Sequence, residues 1–294
     1  MIDSIYENLE LPSMPQVITR IIEIDENDIT VGVNQLESLI SSDPNLVSKI
    51  LKLANSPFYS RSNNISDLGR ALSLLGFKSI KSLTLLVSVA KLLPNITRNT
   101  AIQKELWMNS IIIGVTAKTL AIRLGHKEIQ EKAFLGGLLR HIGQLILYSR
   151  FPTSYEGALK QSSNGLDIDA LQKYELHLFG VTTFSLSQYA MGKWNFPDEL
   201  TRTAEITEYV PEKVQEVAGL LGNIVCFAEI ITFRQKAMTD STNKALVAKL
   251  ESFMETYIKY LSINQTEANF IKNKLQDSYH SNEFYSFCEE LFSG

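Results

Sequence analysis

The chain reads as an all-α protein, a helical bundle of two lobes. Apolar residues recur with helical period in nearly every segment, strand-like alternation is scarce, and no Gly-rich phosphate loop is present. Of its 294 residues, 45% are hydrophobic and 20% charged, the balance of a globular chain with a sizeable core. Helix stops recur along it, and the stretch Pro94 to Thr100 is polar enough to divide two lobes. The expected organisation is a first lobe over 1–99, a second over 100–240 and a helical extension over 241–294.

The elements follow from local signals. Gln16 to Ile24 is the first strong helical run, with Pro15 placed for its first turn. Val33 to Ile40 forms the next and stops at Ser41-Ser42. Asp43 then caps a helix begun by Pro44, in which Leu46, Ile50 and Leu53 make one stripe with Val47, Leu51 and Ala54 beside it. Asn55-Ser56-Pro57 ends it. Ser66 is placed to cap Leu68 to Leu75, closed by Gly76, and Lys78 to Leu93 follows. Leu106 to Leu124 is a long helix closed by Gly125. A further helix carries Arg140 in its middle and stops near Arg150-Phe151-Pro152. Helices near 154–163, 167–179 and 181–194 come next, and Trp194-Asn195-Phe196-Pro197 makes a corner. Val214 to Phe233 is apolar throughout. In the tail, Ala245, Leu246, Leu250, Phe253, Met254, Tyr257 and Leu261 share a helical face, and Phe284, Tyr285 and Phe287 argue against disorder.

Composition excludes several classes. A net charge of −4 argues against non-specific coating of nucleic acid. The two cysteines, Cys226 and Cys288, lie far apart; Cys226 sits in an apolar run and reads as a buried free thiol, as suits a reducing cytoplasm. No run is expected to reach the ~18 apolar residues of a spanning helix, and no signal peptide is evident, so a cytoplasmic protein without a membrane is expected. No motif calls for a cofactor, and no Cys/His or Ser/His catalytic arrangement is apparent.

The informative stretch is Arg140-His141-Ile142-Gly143, with Leu135-Gly136-Gly137-Leu138-Leu139 ahead of it. Two polar residues stand side by side in an apolar run. Arg140 has no lone pair to give a cation and stays charged. Its partner is expected to be Glu175 or Glu229 if it is buried; the alternative is a solvated position at the surface. His141 reads as a hydrogen-bonded structural histidine, His126 as a helix-terminus residue, and His177 and His280 as exposed.

Several strings resemble the HDOD family, bacterial signalling relatives of the HD phosphohydrolases. In the first lobe these are Leu11-Pro12-Ser13-Met14-Pro15, Ser42-Asp43-Pro44, Leu53-Ala54-Asn55-Ser56-Pro57-Phe58-Tyr59, and Ile65-Ser66 through Ala71 to Gly76. In the second they are Leu106-Trp107, Leu135 to Leu139, Ile142-Gly143 and Trp194 to Pro197. The likeness covers residues 9 to 233 and leaves out the tail. It implies an HDOD lobe followed by a degenerate HD-like lobe. True HD hydrolases hold metal through a His, a His-Asp pair, further histidines and a last Asp. Position by position, the first His falls at Asn109, the pair at Arg140 and His141, a downstream His near Thr183, a His-rich turn in Ala204–Tyr209, and the last Asp near Glu229. Only His141 and Glu229 could ligate, too few for a usual zinc, manganese or iron site. The resemblance thus implies a regulatory module without catalysis or bound metal. It would act on a protein partner from two-component or cyclic-dinucleotide signalling, with homodimerisation left open.

Three rivals stand beside this reading. One is a metal-dependent phosphohydrolase of nucleotides or cyclic dinucleotides. A second is a nucleic-acid-binding regulator using the basic stretch 61–104, where Lys78 and Lys81 share a face; the apolar run Leu83 to Ala90 speaks against a recognition helix there. Arg70, Lys78 and Lys81 serve better as a docking face for an acidic partner. The third is a small-molecule sensor in which Arg140 grips a phosphate or carboxylate. Glu205, Glu208, Glu212 and Glu216 recur at helical spacing and read as a solvated acidic face.

Overall fold

The structure is a computed structural model and describes residues 11, 16–24, 29–55, 59, 65–92, 101–273 and 275. Among these no strand occurs, and the protein is all-α. The described residues fall into two compact units, within 12–95 and within 96–276. The expected helix start at Pro15 and the divide at Pro94 to Thr100 lie outside the described residues. So do His280, Cys288 and the aromatic tail residues after 276.

The first unit contains α1 (Gln16–Glu23), α2 (Ile29–Ser41), α3 (Pro44–Ala54), α4 (Leu68–Leu75) and α5 (Phe77–Leu92). Asp43 caps α3 as expected, its Oδ1 accepting from the Asn45 and Leu46 amides at 3.0 and 3.1 Å. Asn55 closes the same helix and then reaches forward. Its Nδ2 donates to the Leu51 and Ile65 carbonyls and its Oδ1 accepts from the Ile65 amide at 2.8 Å, so one side chain ties the helix end to the start of the next segment. The cap of α4 is Asp67, not Ser66; the Ser66 hydroxyl instead supports the Asp67 carboxylate. Helices α1 to α4 all pack on α5, whose residues 80–89 are buried on every face.

The second unit contains α6 (Ala101–Arg123), α7 (Gln130–Leu139), α8 (Ile142–Arg150), α9 (Pro152–Gln161), α10 (Ile168–Phe179), α11 (Thr183–Lys193), the short α12 (Asp198–Thr201), α13 (Pro211–Met238), α14 (Lys244–Tyr260) and α15 (Gln265–Asn273). Helices α6 and α7 meet at backbone distance. A Cβ at Gly137 would stand 2.8 Å from the Gly114 Cα, which is why glycines occupy both positions. The buried pair Lys118–Glu131 joins the same two helices at 2.6 Å. At the corner after α11, Asn195 takes φ 57°. Helix α13 packs on α6, α7 and α14, and kinks at Gly219 (φ 61°).

Three expectations change. Helix α13 is long and apolar enough by composition to cross a membrane, contrary to the sequence reading, but its apolar window is mostly buried inside the protein. The tail helix α14 packs on α13 through Leu246, Leu250, Met254 and Tyr257, the last stacked on Phe227 at 5.6 Å, whereas Ala245 is exposed. The acidic repeat is not one helix face, because Glu205 and Glu208 precede Pro211, which begins α13.

Candidate functional site: a buried ion pair at the Arg140–His141 joint

Arg140 does not sit inside a helix. It ends α7, and His141 (φ −106°, ψ 16°) opens α8, so both lie at a joint. Apolar helical pattern on both sides of the two residues hides that break. Just beyond it, a Cβ at Gly143 would collide with the Thr183 carbonyl, and the Gly143 amide donates to Ser187 Oγ at 2.8 Å. Glycine there lets α8 press against α11 and fixes where the joint points.

It points at α13. Arg140 Nε donates to Glu229 Oε2 at 2.6 Å, Nη2 donates to the Ile206 carbonyl at 2.8 Å, and Nη1 donates to the Thr203 carbonyl. The Phe184 ring lies 4.4 Å from the guanidinium carbon. His141 Nε2 meets Glu229 Oε1 at 2.6 Å, with Phe184 and Phe233 tilted against its ring. Arg140 and Glu229 are both 0% exposed and His141 only 3%. Of the two partners open to Arg140 from sequence, the structure selects Glu229 and removes the solvated alternative.

The electrostatics follow. Burial alone would push the Glu229 carboxyl up, but the Arg140 guanidinium and then His141 hold it at about 2. Burial likewise opposes the charge on Arg140, and Glu229 overrides it, raising the guanidinium further. The Cys226 thiol is buried beside this pair and pushed up to about 12 by desolvation, as an inert core thiol would be.

Glu175 belongs to a different cluster. Its Oε1 accepts from Tyr155 Oη at 2.8 Å and from the Thr183 hydroxyl, and its Oε2 accepts from the Thr183 amide at 2.7 Å. No cation is among these partners. Burial raises its carboxyl to about 7, with the Thr183 and Tyr155 hydrogen bonds only partly offsetting the rise. Thr183 therefore stands at the first turn of α11 as a carboxylate clamp. Asn109 is satisfied elsewhere: its Oδ1 accepts from Lys236 Nζ at 2.6 Å, and the same ammonium pairs with Glu105 at 2.8 Å.

In the first unit, Arg70 and Lys78 are exposed, but Lys81 is not part of any outward face. It is 8% exposed, and its Nζ donates to the Ile24 carbonyl at 3.0 Å. The shared helical spacing of Lys78 and Lys81 misled because α5 is wrapped by its neighbours on every side.

Sequence reasoning missed Tyr155, Phe184, Lys236 and the carbonyls of Thr203 and Ile206. Lys236 lies two helical turns after Glu229, a spacing that could have flagged it. The carbonyls carry no sequence signal, since any residue supplies one.

The donor set can be tested against the metal that the HD plan implies. Both oxygens of Glu229 are engaged, the neighbouring position holds a permanent cation, and Asn109 and Thr183 are occupied by other partners. Among the described residues no group of three or more His, Cys, Asp or Glu side chains is placed to hold a metal ion. The residues do not fit a metal centre of the usual kind.

Fold and site together define an all-α module with a buried Arg140–Glu229 ion pair in its second unit. The chain belongs to the HDOD domain family, whose model matches residues 11–209. It is similar over 98% of both chains to a structure from Shewanella amazonensis SB2B whose name proposes a phosphohydrolase (TM-score 0.72, 19% identity). An HDOD domain protein of unknown function from Geobacter sulfurreducens is as similar, with a TM-score of 0.72, 19% identity and coverage of 98% and 97%. A structure from Marinobacter aquaeolei VT8, whose name proposes signal transduction, matches 98% of this chain and 61% of its own at a TM-score of 0.71 and 19% identity. An uncharacterized protein of Treponema pallidum (strain Nichols) is 23% identical over 220 residues, which are 73% of this chain and 41% of that protein. The chain thus spans less than half the length of that relative.

Proposed function

We propose that this chain is a regulatory module without hydrolase activity, acting in signal transduction through a protein partner. One observation carries the reading: Glu229, the carboxylate at the last metal-ligand position, is bound by the Arg140 guanidinium. A cation placed there would face the guanidinium at close range, and both groups are buried where such repulsion is weakly screened. An HD-type reaction needs metal to activate water and bind phosphate, and this side-chain set offers it neither ligands nor a compatible charge. The partner is proposed to belong to two-component or cyclic-dinucleotide signalling, in the cytoplasm. Arg70 and Lys78 are the docking residues retained from the sequence reading, now without Lys81.

The test is elemental analysis of protein purified without chelator, followed by hydrolysis assays on nucleotides and cyclic dinucleotides with added manganese or iron. Background metal and no turnover are expected. Near-stoichiometric metal accompanied by turnover would restore the phosphohydrolase. The small-molecule rival that uses Arg140 as a phosphate grip loses its basis, since the side chain is 0% exposed and each of its three nitrogens is engaged.

A further inference from the structure

A second feature of the same unit has nothing to do with metal. A cleft of about 330 Å³ opens where three segments meet: 166–169 at the start of α10, 207–210 ahead of α13, and one face of α14. That volume lies in the range of small-molecule sites. Leu166, Ile168, Leu246 and Leu250 give it a buried apolar floor. Tyr209 and Phe253 stand edge to face in its wall at 5.2 Å.

The polar residues of the cleft are unevenly charged. Asp167, Asp169 and Glu208 line it against one ammonium, Lys249. Lys249 pairs with Asp169 at 2.7 Å and Asp167 at 3.2 Å. Glu208 pairs with the exposed Lys213 at 2.8 Å, which leaves three carboxylates against two ammoniums. A ligand carboxylate or phosphate would meet net negative charge; an ammonium would meet attraction, with aromatic rings beside it.

The wall is anchored. Arg140 grips the carbonyls of Thr203 and Ile206, immediately before Thr207 to Val210. Gln172 Nε2 donates to the Thr207 carbonyl from α10 at 3.2 Å. The Tyr209 hydroxyl is buried, and Glu229 and Arg140 are the main charges acting on it. One face of this tyrosine lines the cleft while its hydroxyl lies inside, by the Arg140–Glu229 ion pair.

We propose that this cleft binds a small organic cation, a primary amine on an apolar body about the size of one ring. The acidic rim holds the ammonium, the leucine and isoleucine floor takes the apolar part, and the Arg140-anchored segment supplies the wall.

Ligand-observed saturation-transfer NMR on the full chain tests this with 2-phenylethylamine, phenylacetate and 2-phenylethanol as probes of one size and three charges. The amine should bind at least about tenfold more tightly than the acid, a difference of roughly 1.4 kcal/mol. Asp169→Asn, at an exposed position, should weaken the amine several-fold and strengthen the acid. Thr207→Trp at the cleft mouth should abolish binding while circular dichroism shows an unchanged helical fold. No amine binding, acid binding as tight as the amine, or amine binding untouched by Asp169→Asn would each overturn the proposal. So would amine binding that survives Thr207→Trp in folded protein; if that variant does not fold, the Asp169→Asn comparison decides. None of these outcomes bears on the loss of metal ligands, because the cleft lining contains neither His141, Arg140 nor Glu229.

Discussion

Glu229 and Glu175 are both 0% exposed carboxylates of the second unit, yet one is held at about 2 and the other raised to about 7. Burial works upward on both. The difference is the partner: Glu229 has a guanidinium and an imidazole, whereas Glu175 has only two hydroxyls and an amide. Neutral donors soften the cost of burying a charge, and a formal cation reverses it. Two buried carboxylates of one unit are thus two independent devices, one in an ion pair and one a carboxyl raised toward physiological pH by burial.

The comparison can be broken first at its charged end. Arg140→Ala should cost about 3–5 kcal/mol in urea denaturation, because it leaves Glu229 buried without its main counter-charge. Arg140→Lys should recover only part of this, since an ammonium cannot reach Glu229, Thr203 and Ile206 together. Destabilisation under about 1 kcal/mol for Arg140→Ala would mean that Glu229 simply takes up a proton at little cost.

At the neutral end the prediction is a pH dependence with a defined sign. The folded Glu175 carboxyl keeps its proton up to about pH 7, whereas the unfolded chain releases it near the ordinary glutamate value of 4.5. The folded state therefore binds more protons across that window, and stability falls as pH rises through it, by about 3 kcal/mol in full. Glu175→Gln should flatten the decline. Glu229 contributes with the opposite sign: its stabilisation is present above 4.5 and is lost as pH falls toward 2. A wild-type stability curve that is flat from pH 5 to 8 would remove the distinction between the two carboxyls.

Much of this was visible in the chain and some was not. The helices, the Asp43 cap and the apolar surroundings of Cys226 follow from local pattern, because periodicity and capping are local physics. That Arg140 cannot serve as a metal ligand was legible from residue type alone. Which glutamate pairs with Arg140 was not legible: both are buried acids in the same unit, and only the break at Arg140–His141 aims the side chain at α13 instead of α10. That break is hard to see because apolar helical pattern flanks Arg140–His141 on both sides and neither residue is a Gly or Pro. Lys81 shows the same limit, since a helix wrapped on all faces buries even its lysine. The cleft was missed because residues 166–169, 207–210 and 246–253 meet only through the packing of the tail helix.

Smaller effects sharpen the comparison. His141→Phe removes one hydrogen-bond partner of Glu229 and should cost about 1–2 kcal/mol. It should also let the Glu229 carboxyl rise from about 2 while Arg140 keeps it below its ordinary value, which a carbon-13 NMR titration would read. The smallest expected effect is none: manganese or EDTA should leave the melting temperature unchanged, and a metal-dependent rise would show a site that the side chains do not reveal.

The central claim is that Arg140 and Glu229 act as one unit in the place of a metal centre. A double-mutant cycle of Arg140→Ala and Glu229→Ala, read by urea denaturation, tests it most directly. The account predicts a coupling energy of at least about 2 kcal/mol, with the double variant no less stable than either single one. Additivity within about 0.5 kcal/mol would contradict it, and would make the pair two separate residues that merely touch.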